Sequence, residues 1–232
     1  MPTPSPGVHY RIEPATRHTP LHSHLFRVTL SISVPKRGQE LSLPVWIPGS
    51  YLVREFSKNL QSLQVRQGGV LVAVAQLDKQ RWKLGCQADL PVVVEYEVYA
   101  LDNSVRTAWL DADRGFFNGT SLCLRVEGQT ENPHTLELPR KAWPAEWKLA
   151  TGLPPLKTDR AGFGTYRAAD YDELADCPVE LGDFWSGVFK AGGVSHRFVV
   201  AGAPPSFDGA KLLADAQKIC ETQIRFWHGG GK

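Results

Sequence analysis

Few side chains in this sequence stand at spacings that chemistry requires. His22 and His24 are two residues apart. On a strand they would share a face about 7 Å apart, and such a pair holds a metal only if a third ligand arrives from elsewhere. No neighbouring segment supplies one, so exposed or core-capping histidines are the plainer reading. Asp102, Asp111 and Asp113 lie near Arg106 and Arg114. A calcium loop needs tighter oxygen spacing and a bidentate Glu, which leaves turn-forming carboxylates paired with arginines. Gly229, Gly230, Gly231 and Lys232 imitate half a phosphate loop, but they follow a helical pattern where such a loop precedes one. Asn118, Gly119 and Thr120 match a glycosylation sequon and are first a turn signal. The sequence contains no H-E-x-x-H, no G-x-S-x-G and no phosphate-loop signature, so it offers no zinc, serine-nucleophile or nucleotide site of those kinds.

The most distinctive stretch is PVWIPGSYLVREF, residues 44–56. Pro48 and Gly49 form a turn, flanked by Trp46, Tyr51 and Phe56, with Arg54 and Glu55 adjacent. Such a rigid aromatic turn presents a ligand surface or plugs the core. Chemistry alone favours the plug.

Most of the chain reads as strands. Phe26, Val28, Leu30, Ile32 and Val34 alternate with Arg27, Thr29, Ser31 and Ser33, the period of a half-buried antiparallel strand. Residues 35–38 turn the chain, and Leu41, Leu43 and Val45 continue the period. Residues 63–66 and 70–75 flank Gly68-Gly69 as a hairpin. Residues 81–84 and 92–101 are further strands, and the alternations Leu122/Leu124/Val126 and Leu136/Leu138 predict two more. After about residue 165 the pattern changes. Asp170 and Glu173 form a capping box opening a short helix. Residues 184–189 and 196–201 are strands around Gly192-Gly193. Ser206 or Asp208 caps a helix whose apolar positions run from Leu212 to Trp227, and the glycines from Gly229 end it. The wide apolar stripe of that helix suggests a missing neighbour, with the natural protein continuing past Lys232.

The balance of charges (net +2) argues for neither nucleic acid nor an anionic membrane as partner. Cys86, Cys123, Cys177 and Cys220 are dispersed without a C-x-x-C pair, as expected of free thiols in a reducing compartment. Seven tryptophans are expected mainly in the core. The first residues lack a basic start and apolar run, and no segment reaches the roughly 20 apolar residues of a membrane helix. A cytoplasmic protein is the expectation.

At PVWIPGSYLVREFSKNL the chain resembles the glycyl aminopeptidase family of zinc metallopeptidases. HLFRVTLSI is similar to that family's first long strand, VRTAWLDADRGFFNGTSLCL to its midpoint signature, YDELADCPVELGDF to the entry of its catalytic domain, and CETQIRFW to the helix that follows. The motifs run in family order over essentially the whole chain. The resemblance implies a mainly β protein. Residues 1–168 would form an antiparallel β-sandwich or saddle-like N-terminal domain. Residues 169–232 would be the first strands and helix of a thermolysin-like α+β domain. It implies an aminopeptidase acting on short peptides, with small N-terminal residues such as Gly or Ala preferred. Zinc is expected in the full-length protein, on an H-E-x-x-H beyond Lys232. The implied partners are the remainder of the catalytic domain, a PDZ-type module and the peptide. No catalytic or metal-binding residue of the family maps onto this chain, and His196 lacks the partner histidine a ligand would need. By analogy with related aminopeptidases, Tyr51 and Arg54, or the turn Phe117, Asn118, Gly119 and Thr120, would contact substrate. The alternative is a stand-alone β-sandwich module binding peptide or carbohydrate through Trp46 or Trp109.

Overall fold

A computed structural model describes residues 7–15, 21–47 and 49–229. Pro48 and the last three residues, on which parts of the turn and phosphate-loop readings fall, lie outside the described residues. Contacts divide the chain into two units, Met1–Leu181 and Gly182–Lys232.

The first unit is built on an eight-stranded sheet. Its central strands Val8–Pro14, Leu25–Ile32 and Val92–Tyr99 alternate buried and more exposed positions along their length. Val8, Tyr10 and Ile12 face inward with Phe26, Val28, Leu30, Ile32 and Val92, Val94, Tyr96, Val98. The opposite face carries cross-strand ion pairs, Arg11–Glu137 at 2.8 Å and Arg27–Glu97 at 3.0 Å. These are partly exposed pairs of small stabilising value, and they keep that face in water. The first strand runs antiparallel to Leu25–Ile32 and parallel to His134–Leu138. Two four-stranded sheets share the core with it. One contains Lys148–Thr151, Val179–Gly182, Arg114–Phe117 and Ala108–Leu110. The other contains Arg125–Val126, Glu40–Ser42, Arg81–Leu84 and Val74–Gln76. The chain is thus mainly β, as the alternation predicts.

One element differs from the sequence reading. The alternation at Leu122, Leu124 and Val126 is not one strand: Gly119–Leu122 is a one-turn helix, α1, and only Arg125–Val126 is extended. Both sides of residues 119–124 are buried, so apolar residues there carry no period. The helix Tyr171–Asp176, α2, is capped as predicted, with the Glu173 N–H donating to Asp170 Oδ1 at 2.8 Å. It packs on α1 and on Gly164–Ala168 within the first unit, which extends past residue 168 to Leu181.

The second unit has the predicted hairpin, Phe184–Ala191 and Val194–Ala201, and a long helix α3, Gly209–His228. Gly192 and Gly193 both take positive φ, at 56° and 79°, the geometry of a two-residue hairpin turn that twists with its strands. Asp208 caps α3, accepting from the Lys211 N–H at 2.8 Å. The helix lies on the first strand of the hairpin, with Leu213 against Gly187, while Ile219, Phe226 and Trp227 are exposed.

The four cysteines are free. Burial pushes the Cys123 thiol up, so it stays protonated. The tryptophans divide: Trp82, Trp143 and Trp147 are buried, whereas Trp46 and Trp227 are exposed. Among the described residues no helix is long and apolar enough to cross a membrane.

His134 is fully buried between Tyr10 and Tyr171. Its Nδ1 lies 2.6 Å from the Asn132 carbonyl, and Nε2 has no hydrogen-bond partner among the described residues. Nδ1–H therefore donates, and a proton on Nε2 would place an unpaired cationic N–H in the core. Burial holds the His134 pKa below its ordinary 6.5, against the opposing pull of the Asn132 carbonyl and the Asp170 charge. The unfolded chain then takes up a proton that the folded chain refuses. Stability is complete above the ordinary value and falls as pH drops from there through the lowered folded value. The melting temperature is expected to fall between about pH 7.5 and pH 5, and His134→Gln to reduce that fall. An unchanged pH dependence in the variant would show that His134 does not titrate this way.

Candidate functional site

The two segments singled out by sequence meet through short helices. The loop after Val45 is closed where the Arg54 N–H donates to the Val45 carbonyl. Inside it, Ser50 is buried and acts as a hub. Its carbonyl accepts from Trp46 Nε1 at 2.7 Å, and its Oγ accepts from Arg54 Nε at 3.2 Å and from the Leu52 N–H at 3.3 Å. Phe56 anchors the exit in the core as the first residue of a 3-10 turn, Phe56–Asn59. That turn contacts α1. The loop is not the core plug that chemistry favoured: Tyr51 is fully exposed, Leu52 is 62% and Val53 72% exposed, and among its described residues only Ser50 and Phe56 are buried. The reason lies in polarity, because the hub satisfies the backbone of the turn through one serine and leaves the apolar side chains to project.

The second segment runs through α1. Phe117 is core, edge-on to Phe26 with ring centroids 5.4 Å apart. Asn118 is half-buried and Nδ2 donates to the Val105 carbonyl at 2.6 Å, leaving Oδ1 as an acceptor. Gly119 has an ordinary φ; it is needed for space. A Cβ there would stand 2.7 Å from the Leu174 carbonyl oxygen and 3.0 Å from the Ala175 Cα. Thr120 and Ser121 are buried, and their hydroxyls have no hydrogen-bond partner among the described residues. The exit of α1 is held by three phenols. Tyr96 donates to the Leu122 carbonyl at 2.6 Å, Tyr171 to Cys123 at 2.7 Å and Tyr10 to Leu124 at 2.7 Å. Burial, and beside it the neighbouring Cys123, raise all three phenol pKa values well above the ordinary range. Nothing in residue spacing reveals this clamp, since its members are 48 to 114 residues apart from their acceptors in two of three cases.

Arg114 steadies the adjoining loop. Its guanidinium takes Glu180 in a two-point pair at 2.7 and 2.9 Å and reaches Asn103 Oδ1 at 3.0 Å. This pair and the Glu180 hydrogen bond raise the Arg114 pKa further, against partial burial. Asp111 is a turn carboxylate, as expected: Oδ1 accepts from the Asp113 and Arg114 N–H groups, and Oδ2 accepts from Trp109 Nε1 at 2.9 Å. Trp109 is accordingly part-buried and committed.

The described residues do not fit zinc. Among the described residues no group of three or more His, Cys, Asp or Glu side chains could hold a metal ion. His24 sits in a turn with φ 54°, not on a strand, and its Nδ1 lies 2.5 Å from the Leu110 carbonyl. His9 is engaged with Thr135 and Glu137, and His196 with the Val194 carbonyl and the Phe189 ring.

Residues 9–183 match the family described as the peptidase M61 N-terminal domain. The chain belongs to this family. It is also similar to an aminopeptidase N family protein from Idiomarina loihiensis, whose crystal structure superposes with a TM-score of 0.86 at 46% sequence identity. The alignment covers 94% of this chain and 36% of that one, so the chain spans about a third of that relative. An M1 zinc metallopeptidase from Deinococcus radiodurans aligns at 15% identity and TM-score 0.44, over 90% of this chain and 51% of that one. A search of curated proteins found no match. The M61 match brings the loop of Tyr51, the α1 segment and α2 within one peptidase-related domain.

Gly119→Ala is expected to destabilise the first unit by about 1–3 kcal/mol, the scale of overpacking against backbone that cannot yield. Urea unfolding checks this, and a change within about 0.5 kcal/mol, the scale of an ordinary surface substitution, would mean that α2 moves aside.

Proposed function

We propose that these 232 residues are the N-terminal, non-catalytic portion of a zinc-dependent aminopeptidase. The intact enzyme would remove small residues such as glycine or alanine from the N-terminus of short peptides. The observation that carries this reading is the M61 family match over residues 9–183. The 46% identity with about a third of an aminopeptidase N family protein supports it. The metal and the hydrolytic groups belong to polypeptide outside this sequence, which has no H-E-x-x-H and no described cluster fit for a metal. Its partners would be the rest of its own catalytic domain, a PDZ-type module and the peptide, in the cytoplasm.

The contribution of this chain is a wall of the substrate cleft. Of the six substrate-contact candidates, Phe117, Gly119 and Thr120 are buried and shape the wall from behind. Tyr51, Arg54 and Asn118 keep atoms within reach of solvent. Asn118 Oδ1 is an acceptor suited to a peptide's ammonium group, and the exposed Tyr51 ring offers a face on which a cation or an apolar side chain can rest. A second reading, a module that binds peptide or carbohydrate by itself, rests on the exposed Trp46 and Tyr51.

The test is made on the intact reading frame. Purified protein is expected to hold zinc and to release alanine from alanine para-nitroanilide. Asn118→Ala and Tyr51→Ala should raise KM by about three- to tenfold, the scale of one lost polar contact, with kcat little changed. A metal-free protein without peptidase activity that still binds peptides would favour the second reading. Unchanged kinetics in stable variants would remove both residues from the cleft.

A further inference from the structure

We propose that Tyr10, Tyr96 and Tyr171 are positioning residues, whose hydroxyls fix three consecutive carbonyls and thereby set Asn118 at the edge of the substrate cleft. The proposal rests on the reading just given.

The three donors come from three separate elements: Tyr10 from the strand Val8–Pro14, Tyr96 from Val92–Tyr99 and Tyr171 from α2. Their acceptors are Leu124, Leu122 and Cys123 in turn. A single hydrogen bond would let the segment pivot; three from independent supports leave it no free rotation. Tyr96 does double duty, because its oxygen also accepts from the Leu124 N–H at 3.1 Å. All three rings are buried and carry only two side-chain torsions each, so the anchor points are stiff. Burial keeps the phenols protonated, and they remain donors throughout the working range of pH.

The constraint passes back to Asn118 through one helical turn. The Cys123 N–H donates to the Gly119 carbonyl at 2.7 Å, and the Ser121 N–H to Asn118 at 2.9 Å. Gly119 cannot retreat, because the backbone of Leu174 and Ala175 stands against it. Phe117 is fixed in the core on the other side. Asn118 is therefore held from both ends, and its side chain in turn holds the exposed Val105 loop. Errors of about 1 Å in such a group are costly to a bound substrate.

The test uses Tyr10→Phe, Tyr96→Phe and Tyr171→Phe in the intact protein. A core variant outside the segment and its three tyrosines, Ile32→Val, serves as a control for general loss of stability. Amide hydrogen exchange at Cys123 and Leu124 is expected to quicken by about tenfold in Tyr96→Phe, the upper scale of one hydrogen bond. KM for alanine para-nitroanilide is expected to rise about three- to tenfold in each tyrosine variant with kcat retained, and not in the control. A raised KM in Asn118→Ala with exchange and KM unchanged in the tyrosine variants would overturn the clamp alone. Faster exchange, with KM unchanged in both Asn118→Ala and the tyrosine variants, would overturn the cleft reading and with it the positioning role.

Discussion

Backbone carbonyls enclosed by hydrocarbon need donors, and residues 122–124 present three in succession. A one-turn helix cannot supply those donors from its own amides, since its last carbonyls have no intrahelical partner. The tyrosines that meet the need arise from the large sheet and from α2. The segment therefore exists in its observed form only when the sheet and α2 are both in place. The same dependence makes the candidate cleft wall a product of the whole first unit rather than of one loop.

Around that point the polar and apolar demands are separated cleanly. The inner face of the sheet buries aliphatic and aromatic side chains, whose removal from water supplies most of the driving force. The outer face carries partly exposed ion pairs, which add little stability and keep that face polar. The Tyr51 loop departs from this division. Its backbone is satisfied by a buried serine while its apolar side chains are exposed. That combination has no structural benefit within the described residues, which is why it is the stronger candidate for contact with something else.

Much of the architecture is legible in the sequence because local pattern suffices for it. The strand Leu25–Ile32, the turn at Gly192-Gly193, the Asp170 cap and the Asp208 cap each follow from residues within a few positions of one another. The strand Val8–Pro14 alternates as regularly as any, with Tyr10 and Ile12 inside and Arg11 and Glu13 outside, although it is not among the strands predicted above. At α1 the pattern misleads, because full burial on both sides removes the alternation a strand would need. The site is less legible than the fold. The motif around Asn118 singles out a candidate segment, but whether its members are buried or exposed depends on α2 and on distant tyrosines. The prominence of the Tyr51 loop goes with hydrogen bonds that run inside the loop itself, through Ser50 and the Val45 carbonyl.

The parallel pairing of the first strand carries a further consequence for how the chain is made. Val8–Pro14 finds one neighbour at Leu25–Ile32 and the other only at His134–Leu138, a separation of 126 residues at the His9–Thr135 bond. During synthesis the early hairpin therefore waits with one flank of hydrogen-bonding groups open while more than a hundred residues emerge. Such long-range closure slows folding and leaves the waiting edge available to other chains. Tyr10 lies on that strand, so one of the three supports of the Leu122–Leu124 segment is translated 114 residues before its acceptor.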